Sequence, residues 1–161
     1  MSIEPKIDQL VESSQEFLTF SLGEEQYGVD ILKVKEIRGW ETLRELHDVP
    51  CYIKGVLDFR GVIVPIVDLR LRFSVENIEY KTTTVIIILS TENDNSMMGI
   101  VVDAVSDVLS IKQSDMKKAP SMGSKINTDY MLGVVSAEDG MIMLLDSEKL
   151  VDKEQLQLSV S

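Results

Sequence analysis

The sequence predicts an all-β fold with only short helices, built as two related barrels packed against each other. Three features point to it. Short apolar segments rich in β-branched residues recur along the chain, separated by turn-forming residues. These segments fall into two copies of one pattern. Helical spacing never extends beyond a turn or two, which is the habit of small barrels rather than of bundles or α/β sheets.

Residues 1–15 are polar and acidic and read as a loose lead-in. FLTFSLGEEQYGVD follows as a hairpin. Phe17 to Leu22 is rich in strand formers, GEEQ supplies the turn, and Tyr27 to Val29 returns. Ile31, Val34 and Ile37 are spaced by three, which suggests a helical turn leaving Asp30. Glu36 to Trp40 also reads as strand, and periodicity does not separate the two. TLRELHDVPCYIKG is a surface connection with room for one helical turn. VLDFRG and VIVPIVDL are strands on either side of Arg60-Gly61, and Asp68 is placed to cap a short helix, LRLRF. Ser74 to Lys81 is a polar linker. TTTVIIILST is a strand, TENDNS a turn, and MMGIVVDAVSDVLSI further strand. A long polar loop, KQSDMKKAPSMGSKINTDY, leads to the hairpin LGVVSAEDGMIMLLD. Residues 147–161 then form a C-terminal helix and tail, with Leu150 and Val151 as the apolar contacts.

The repeat aligns without gaps in its first part. GVDILKVKEI, from Gly28, lies over GIVVDAVSDV, from Gly99, and Glu36 falls on Asp107. Farther on, GVLDFRGVIVPIVD from Gly55 matches GVVSAEDGMIMLLD from Gly133. Each begins Gly-Val, has a second glycine opening an apolar strand, and ends in Asp; the turn is one residue longer in the second copy. Each half has about 65 residues, too few to bury a large core alone, so the two halves share one.

The net charge of −11 gives no footprint for a phosphate backbone and would be repelled by an anionic membrane surface. It favours basic protein partners instead. No apolar run approaches the roughly 20 residues that cross a bilayer, and the N-terminus lacks the pattern of a signal peptide. The expectation is a cytoplasmic protein. The single cysteine, Cys51, fits a reducing compartment and reads as a small buried or half-buried thiol.

Signs of catalysis are sparse. His47 is the only histidine and lies in a polar connection with no nucleophile motif beside it. One His and one Cys do not make a usual zinc site, and neither GxxxxGK[ST] nor GxGxxG occurs. TENDNS lacks the distal glutamate of a calcium loop. The reading is a protein without enzymatic activity, metal or cofactor. Met97, Met98, Met141 and Met143 lie in expected strands, as core filling or as an adaptable apolar surface. Trp40 is expected in the core or at the seam between barrels.

Arg60 stands between Phe59 and Gly61 inside apolar strands. Two readings follow: an exposed turn arginine, or an arginine holding a carboxylate in fork geometry, with Glu36 as candidate. Gly61 would allow the tight or positive-φ turn that aims the side chain. The matching turn of the second copy carries Glu138 and Asp139 and no arginine, so barrel architecture does not demand one.

FLTFSLGEEQYGVDILKVKEIRG, IKGVLDFRGVIVPIVDLR and GIVVDAVSDVL together resemble the CheW coupling proteins of bacterial chemotaxis, over about Glu16 to Leu150. The resemblance implies two five-stranded SH3-like barrels within residues 16–150, the first about 16–73 and the second about 82–146, with exchange of segments between them left open. It implies a non-catalytic adaptor that links the cytoplasmic tip of chemoreceptors to the regulatory domain of the histidine kinase CheA, monomeric when free and recruited to receptor arrays. Carried over by position, Val34, Gly55 and Arg60 match places of receptor contact, and Glu36 matches the acid that pairs with the family arginine. Val85 and Ile86 are expected to line the same groove from the second barrel, with Gly99, Ser106 and Val108 in the matching second-half segment. Gly39 and Gly61 are the positions carried over for kinase binding. The family more often has Asn-Leu-Arg-Gly where this chain reads Asp58-Phe59-Arg60-Gly61; the Arg-Gly pair is kept. A regulatory barrel of another kinase pathway, and a small ligand-binding or enzymatic barrel, are the competing readings.

Overall fold

A computed structural model describes residues 13–91, 96–118, 128–138 and 140–151. Among the described residues there are ten strands: β1 (Ser14–Leu22), β2 (Glu25–Asp30), β3 (Val34–Gly39), β4 (Ile53–Phe59), β5 (Val62–Asp68), β6 (Val85–Ser90), β7 (Met97–Val102), β8 (Ala104–Lys112), β9 (Met131–Ala137) and β10 (Gly140–Leu145). Helix is short: a 3-10 turn over Ile31–Lys33, helix α1 over Leu69–Arg72, two further 3-10 turns, and a helical stretch over 147–151. The fold class is the one the sequence predicts.

The strands make two five-stranded sheets, ordered β8-β1-β2-β10-β9 and β3-β6-β7-β5-β4. They do not follow the contiguous ranges 16–73 and 82–146. The first sheet takes β1 and β2 from the first repeat and β8 to β10 from the second; the other takes β6 and β7 from the second repeat and β3 to β5 from the first. Each repeat therefore gives its leading hairpin to its neighbour's sheet. Among the described residues neither sheet closes by a full ladder. In each, one isolated bridge ties the chain after one end strand to the other end strand, Arg44 to Val56 and Lys117 to Val134.

The repeat is kept to the level of register. Ile66 pairs with Gly99 in a parallel rung between β5 and β7, and Leu144 pairs with Gly28 in the parallel rung between β10 and β2. The register slips beside Gly55 in one sheet and beside Gly133 in the other. The backbone N–H of Asp68 donates to the Tyr52 carbonyl at 2.7 Å, and that of Asp146 donates to the Tyr130 carbonyl at 2.7 Å.

Apolar residues on both faces of a strand explain why VIIIL shows no polar alternation. Ile86 and Ile88 face a core inside the second sheet, with Leu57, Phe59, Val64, Ile66 and Val101. Ile87 and Leu89 face the core between the sheets, where Phe20, Leu22, Tyr27 and Val29 of the first sheet meet them. A smaller core, of Phe17, Ile111, Val135, Ile142 and Leu144, fills the first sheet. Each fully buried aliphatic of this kind is worth about 1.5–3 kcal/mol relative to exposure. Leu150 and Val151 are fully buried against the core between the sheets.

Local expectations fare unevenly. Asp30 caps the turn at Ile31, its carboxylate accepting from the Leu32 N–H at 2.9 Å, and β3 begins directly at Val34. Asp68 caps α1, accepting from the Arg70 N–H. β1 begins at Ser14, inside the expected lead-in, because Ser14 to Ser21 pair with β8. The connection 40–52 holds no helical turn; Arg44 is instead drawn into the bridge to Val56. Cys51 lies there and is exposed, not buried, since the segment runs over the surface before β4. The interior of the TENDNS turn, the middle of the long polar loop and the tail 152–161 lie outside the described residues.

Candidate functional site

Arg60 and Gly61 are the two central residues of the β4–β5 turn, between the paired Phe59 and Val62. Both have positive φ, 51° and 87°. That is the type I′ geometry, whose twist suits a hairpin and whose usual residues are Asn-Gly or Gly-Gly. The Asp58 carboxylate accepts from the Gly61 N–H at 2.8 Å and pins the turn. Glycine is at ease here; an arginine in the left-handed region costs about 1–2 kcal/mol. Residues held this way are found disproportionately where a side chain has work at a site. Arg60 is exposed, its guanidinium 4.9 Å from the Phe59 ring centroid, and beside it Val62 and Ile63 are 44% and 63% exposed. The tip thus presents a fixed cation next to two uncovered aliphatics.

Glu36 does not hold Arg60. Its carboxylate accepts from Arg38 Nε at 2.8 Å and lies 2.6 Å from Arg38 Nη2. Arg38 is two residues along the same strand, so it shares a face with Glu36, and it reaches Glu41 as well at 3.4 Å. Arg60 sits at the tip of a hairpin on the other end strand of the sheet.

The remaining predicted positions divide by burial. Val34 and Val85 are half-buried, and Gly39 is exposed, with open space where a Cβ would stand. Gly39 and Val85 are partners on the β3–β6 ladder. Val85, Ile86 and Gly99 therefore belong to the same sheet as Val34, Glu36, Gly55 and Arg60 and do not face them from a second barrel; the exchange of hairpins is the reason. Ile86 is fully buried and offers a partner no surface. Gly55 is buried with φ 146°, and a Cβ there would run into the Arg44 carbonyl, the atom that makes the sheet-closing bridge. A Cβ at Gly99 would meet the Ile66 side chain. All three are buried and present no surface of their own. Ser106 and Val108 are exposed, on the end strand β8 of the other sheet.

Sequence reasoning misses one constellation. Arg70 is fully buried, and it forks onto Asp68, itself fully buried, with Nε to Oδ1 and Nη2 to Oδ2 both at 2.9 Å. Its Nη1 donates to Asp103 Oδ1 at 2.9 Å and to the Glu79 carbonyl at 2.7 Å. Tyr80 donates to Asp68 Oδ2 at 2.7 Å and lies under the guanidinium, while Trp40 stacks on Tyr80 at 4.4 Å. Asp103 Oδ2 accepts from the Gly23 N–H in the β1–β2 turn, which carries the network into the other sheet. Burial would lower the Arg70 pKa, but hydrogen bonds and charge from Asp68 and Asp103 outweigh it and raise it. Burial, then the bond to Asp68 and its charge, push the Tyr80 hydroxyl up. The rule applied to Arg60, that an arginine in apolar surroundings needs a carboxylate, belongs to Arg70. The available signal is Arg70 between Leu69 and Leu71, two residues after Asp68, with Glu148 at the matching place of the second copy.

Among the described residues no group of three or more His, Cys, Asp or Glu side chains could hold a metal, and no helix is long and apolar enough to cross a membrane. His47 is exposed.

Comparison with known proteins gives one consistent result. The CheW-like domain family matches residues 16–155. The chain is 44% identical to Chemotaxis protein CheW of Klebsiella aerogenes over 144 residues, covering 89% of this chain and 86% of that one. It is 31% identical to Chemotaxis protein CheW of Rhizobium meliloti over 146 residues, covering 91% and 93%. The structure is similar to the crystal structure of the scaffolding protein TtCheW from Thermoanaerobacter tengcongensis, with TM-score 0.76, 29% identity, and coverage of 84% of this chain and 86% of that one.

Proposed function

The chain belongs to the CheW family of non-catalytic chemotaxis scaffold proteins, and from that premise we propose that it couples the cytoplasmic tips of transmembrane chemoreceptors to the histidine kinase CheA. It would act in the cytoplasm and join membrane-associated receptor arrays by contact with receptor and kinase, with no insertion of its own.

The observation that carries the reading is the β4–β5 turn. Arg60 is held in a backbone conformation that costs stability, points from the surface, and stands beside two exposed aliphatics. A receptor tip is a helical hairpin, and a cation flanked by apolar side chains would suit a helix face that offers a carboxylate among apolar residues. Val34, Glu36 and Val85 would extend the receptor surface across β3 and β6, with Arg38 fixing the Glu36 carboxylate. Gly55, Ile86 and Gly99 would act beneath it by keeping the sheet's shape, and Ser106 and Val108 would add contacts from β8. Gly39 and Gly61, exposed at a strand end and a turn, are where an added side chain would obstruct the kinase. Each contact is modest, and avidity in an array supplies the rest.

The test is reconstitution. Receptor-bearing membranes and CheA are assayed for autophosphorylation with and without this protein. The expected outcome is receptor-dependent kinase control only when the protein is present, with cosedimentation of all three. Recovery of a different kinase and no receptor would replace this reading with that of a regulatory module from another pathway.

A further inference from the structure

The β3–β7 sheet and the sheet of β1, β2 and β8–β10 have equivalent seams, and they are filled differently: Trp40 and Leu43 pack on the inner core of one, Leu109 and Met116 on that of the other. In the first, the seam between end strands β3 and β4 is covered by Trp40 and Leu43, which pack on the inner core, with Trp40 held against Tyr80. In the second, the seam lies between β8 and β9. The bridges make Lys117 the counterpart of Arg44, so Met116 stands where Leu43 does, and no tryptophan accompanies it. An open cleft of about 1010 Å³ remains.

Its walls are strand edges. β8 and β9 end the sheet order, and the bridge at Lys117 and Val134 takes up only one position of β9. On the edges that face away from β1 and β10, main-chain groups along Leu109–Ile111 and Val135–Ala137 border the cleft; farther along β8 the Asp107 N–H and carbonyl are engaged by the Thr19 hydroxyl, and the Val108 N–H donates to the Asp107 carboxylate at 2.8 Å. Such an edge is a template for another strand unless something guards it. The floor is apolar, from Ile111, Val135 and Ile142, and Met141 is 61% exposed at the rim. Among the described residues Asp107, Asp115 and Glu138 line the cleft against a single lysine, Lys117. A second copy of this chain, at −11, would bring like charge to like charge.

We propose that the β8–β9 seam is a docking site for an extended basic peptide segment of a partner protein, which adds as a strand with apolar side chains toward Ile111 and Val135 and lysine or arginine toward Asp115 and Glu138. Main-chain bonds to the edge supply binding, and the alternation of side chains supplies selection. The site is separate from the β4–β5 tip, shares only Ser106 and Val108 of β8 with the receptor surface proposed above, and stands whether or not the coupling role does.

The experiment is a two-dimensional NMR titration of the full chain with three capped hexapeptides: Lys-Val-Lys-Val-Lys-Val, its glutamate counterpart Glu-Val-Glu-Val-Glu-Val, and Lys-Val-Lys-Pro-Lys-Val, which removes a main-chain donor. The lysine peptide is expected to shift amides of Leu109–Ile111 and Val135–Ala137 and to slow their hydrogen exchange. The glutamate and proline peptides bind at least about tenfold more weakly, since one loses the charge match and the other the strand pairing. Asp115 and Glu138 are exposed, so Asp115→Asn with Glu138→Gln keeps the fold and weakens the lysine peptide by roughly two- to tenfold. Equal affinity for the glutamate peptide, shifts confined to other strands, or the same shifts produced by protein concentration alone would each overturn the proposal, the last in favour of a second copy.

Discussion

The two sheets descend from one repeat, and the places where they differ are more informative than the places where they agree. They share the parallel rungs at Gly28 and Gly99, the register slips beside Gly55 and Gly133, and the tyrosine carbonyls that receive Asp68 and Asp146. Those features are what the double sheet needs. They differ at the hairpin tip, where one copy carries Arg60 in a left-handed conformation and the other Glu138, Asp139 and Gly140. They differ after the capping aspartate, where one has the buried Arg70 fork and the other Glu148, joined to Lys33 at 3.4 Å near the surface. They differ at the seam, covered by Trp40 and Leu43 on one side and on the other by Leu109 and Met116 with a cleft left beside them. What the repeat shares is architecture; what it does not share is the place to look for function or for a stability device peculiar to one half.

The largest expected effect comes from breaking the Arg70 network. Arg70→Met leaves Asp68 charged, buried and without its fork, and costs about 3–5 kcal/mol in a denaturant melt. Lys33→Met, at the surface pair of the other copy, costs less than about 1 kcal/mol. Similar losses for the two would mean that the buried network is no more than a second surface bridge.

Tyr80→Phe is intermediate. It removes the hydroxyl that donates to Asp68 and costs about 1–2 kcal/mol. It also changes the response to alkali. Tyr80 and Tyr27 have folded-state pKa values raised above the usual 10.0, by burial first and then by Asp68 and Glu25 respectively. Below pH 10 both states keep these protons. Above it the unfolded chain loses them first, so stability falls as pH rises from about 10 toward the folded values. Denaturation midpoints measured from pH 8 to 11.5 should fall less steeply in Tyr80→Phe than in the parent.

The smallest effect on stability is expected at the tip. Arg60→Gly relieves the left-handed backbone, gives up the contact with Phe59 and adds chain entropy to the unfolded state, so the melt stays within about 1 kcal/mol of the parent. A larger loss would show that Arg60 holds the hairpin together.

Much of this is legible in the sequence, for reasons that can be named. Strands, turns and the repeat follow from local chemistry: β-branched runs, glycines at turns, and aspartates ahead of helical turns at Asp30 and Asp68. The exchange of hairpins does not, because Gly28 and Gly99 occupy equivalent sites whether each hairpin stays home or crosses over. The Glu36–Arg38 pair escapes a search for longer-range partners because both side chains sit on one face of one strand. The Arg70 fork depends on Asp103, Glu79 and Tyr80 arriving from separate segments, which spacing along the chain does not reveal. Ile86, Gly55 and Gly99 resemble surface positions by family match, and burial alone assigns them to the interior.

The difference between the two sheets is why we propose the Arg60 tip as the functional face, and one measurement addresses that most directly. Receptor-dependent control of CheA is compared for the parent, for Arg60→Ala, and for Glu24→Ala in the exposed β1–β2 turn of the other sheet, each variant checked by its melt. Arg60→Ala is expected to keep its fold and lose most of the control, while Glu24→Ala behaves as the parent. Full control in a folded Arg60→Ala protein would contradict the assignment of the tip.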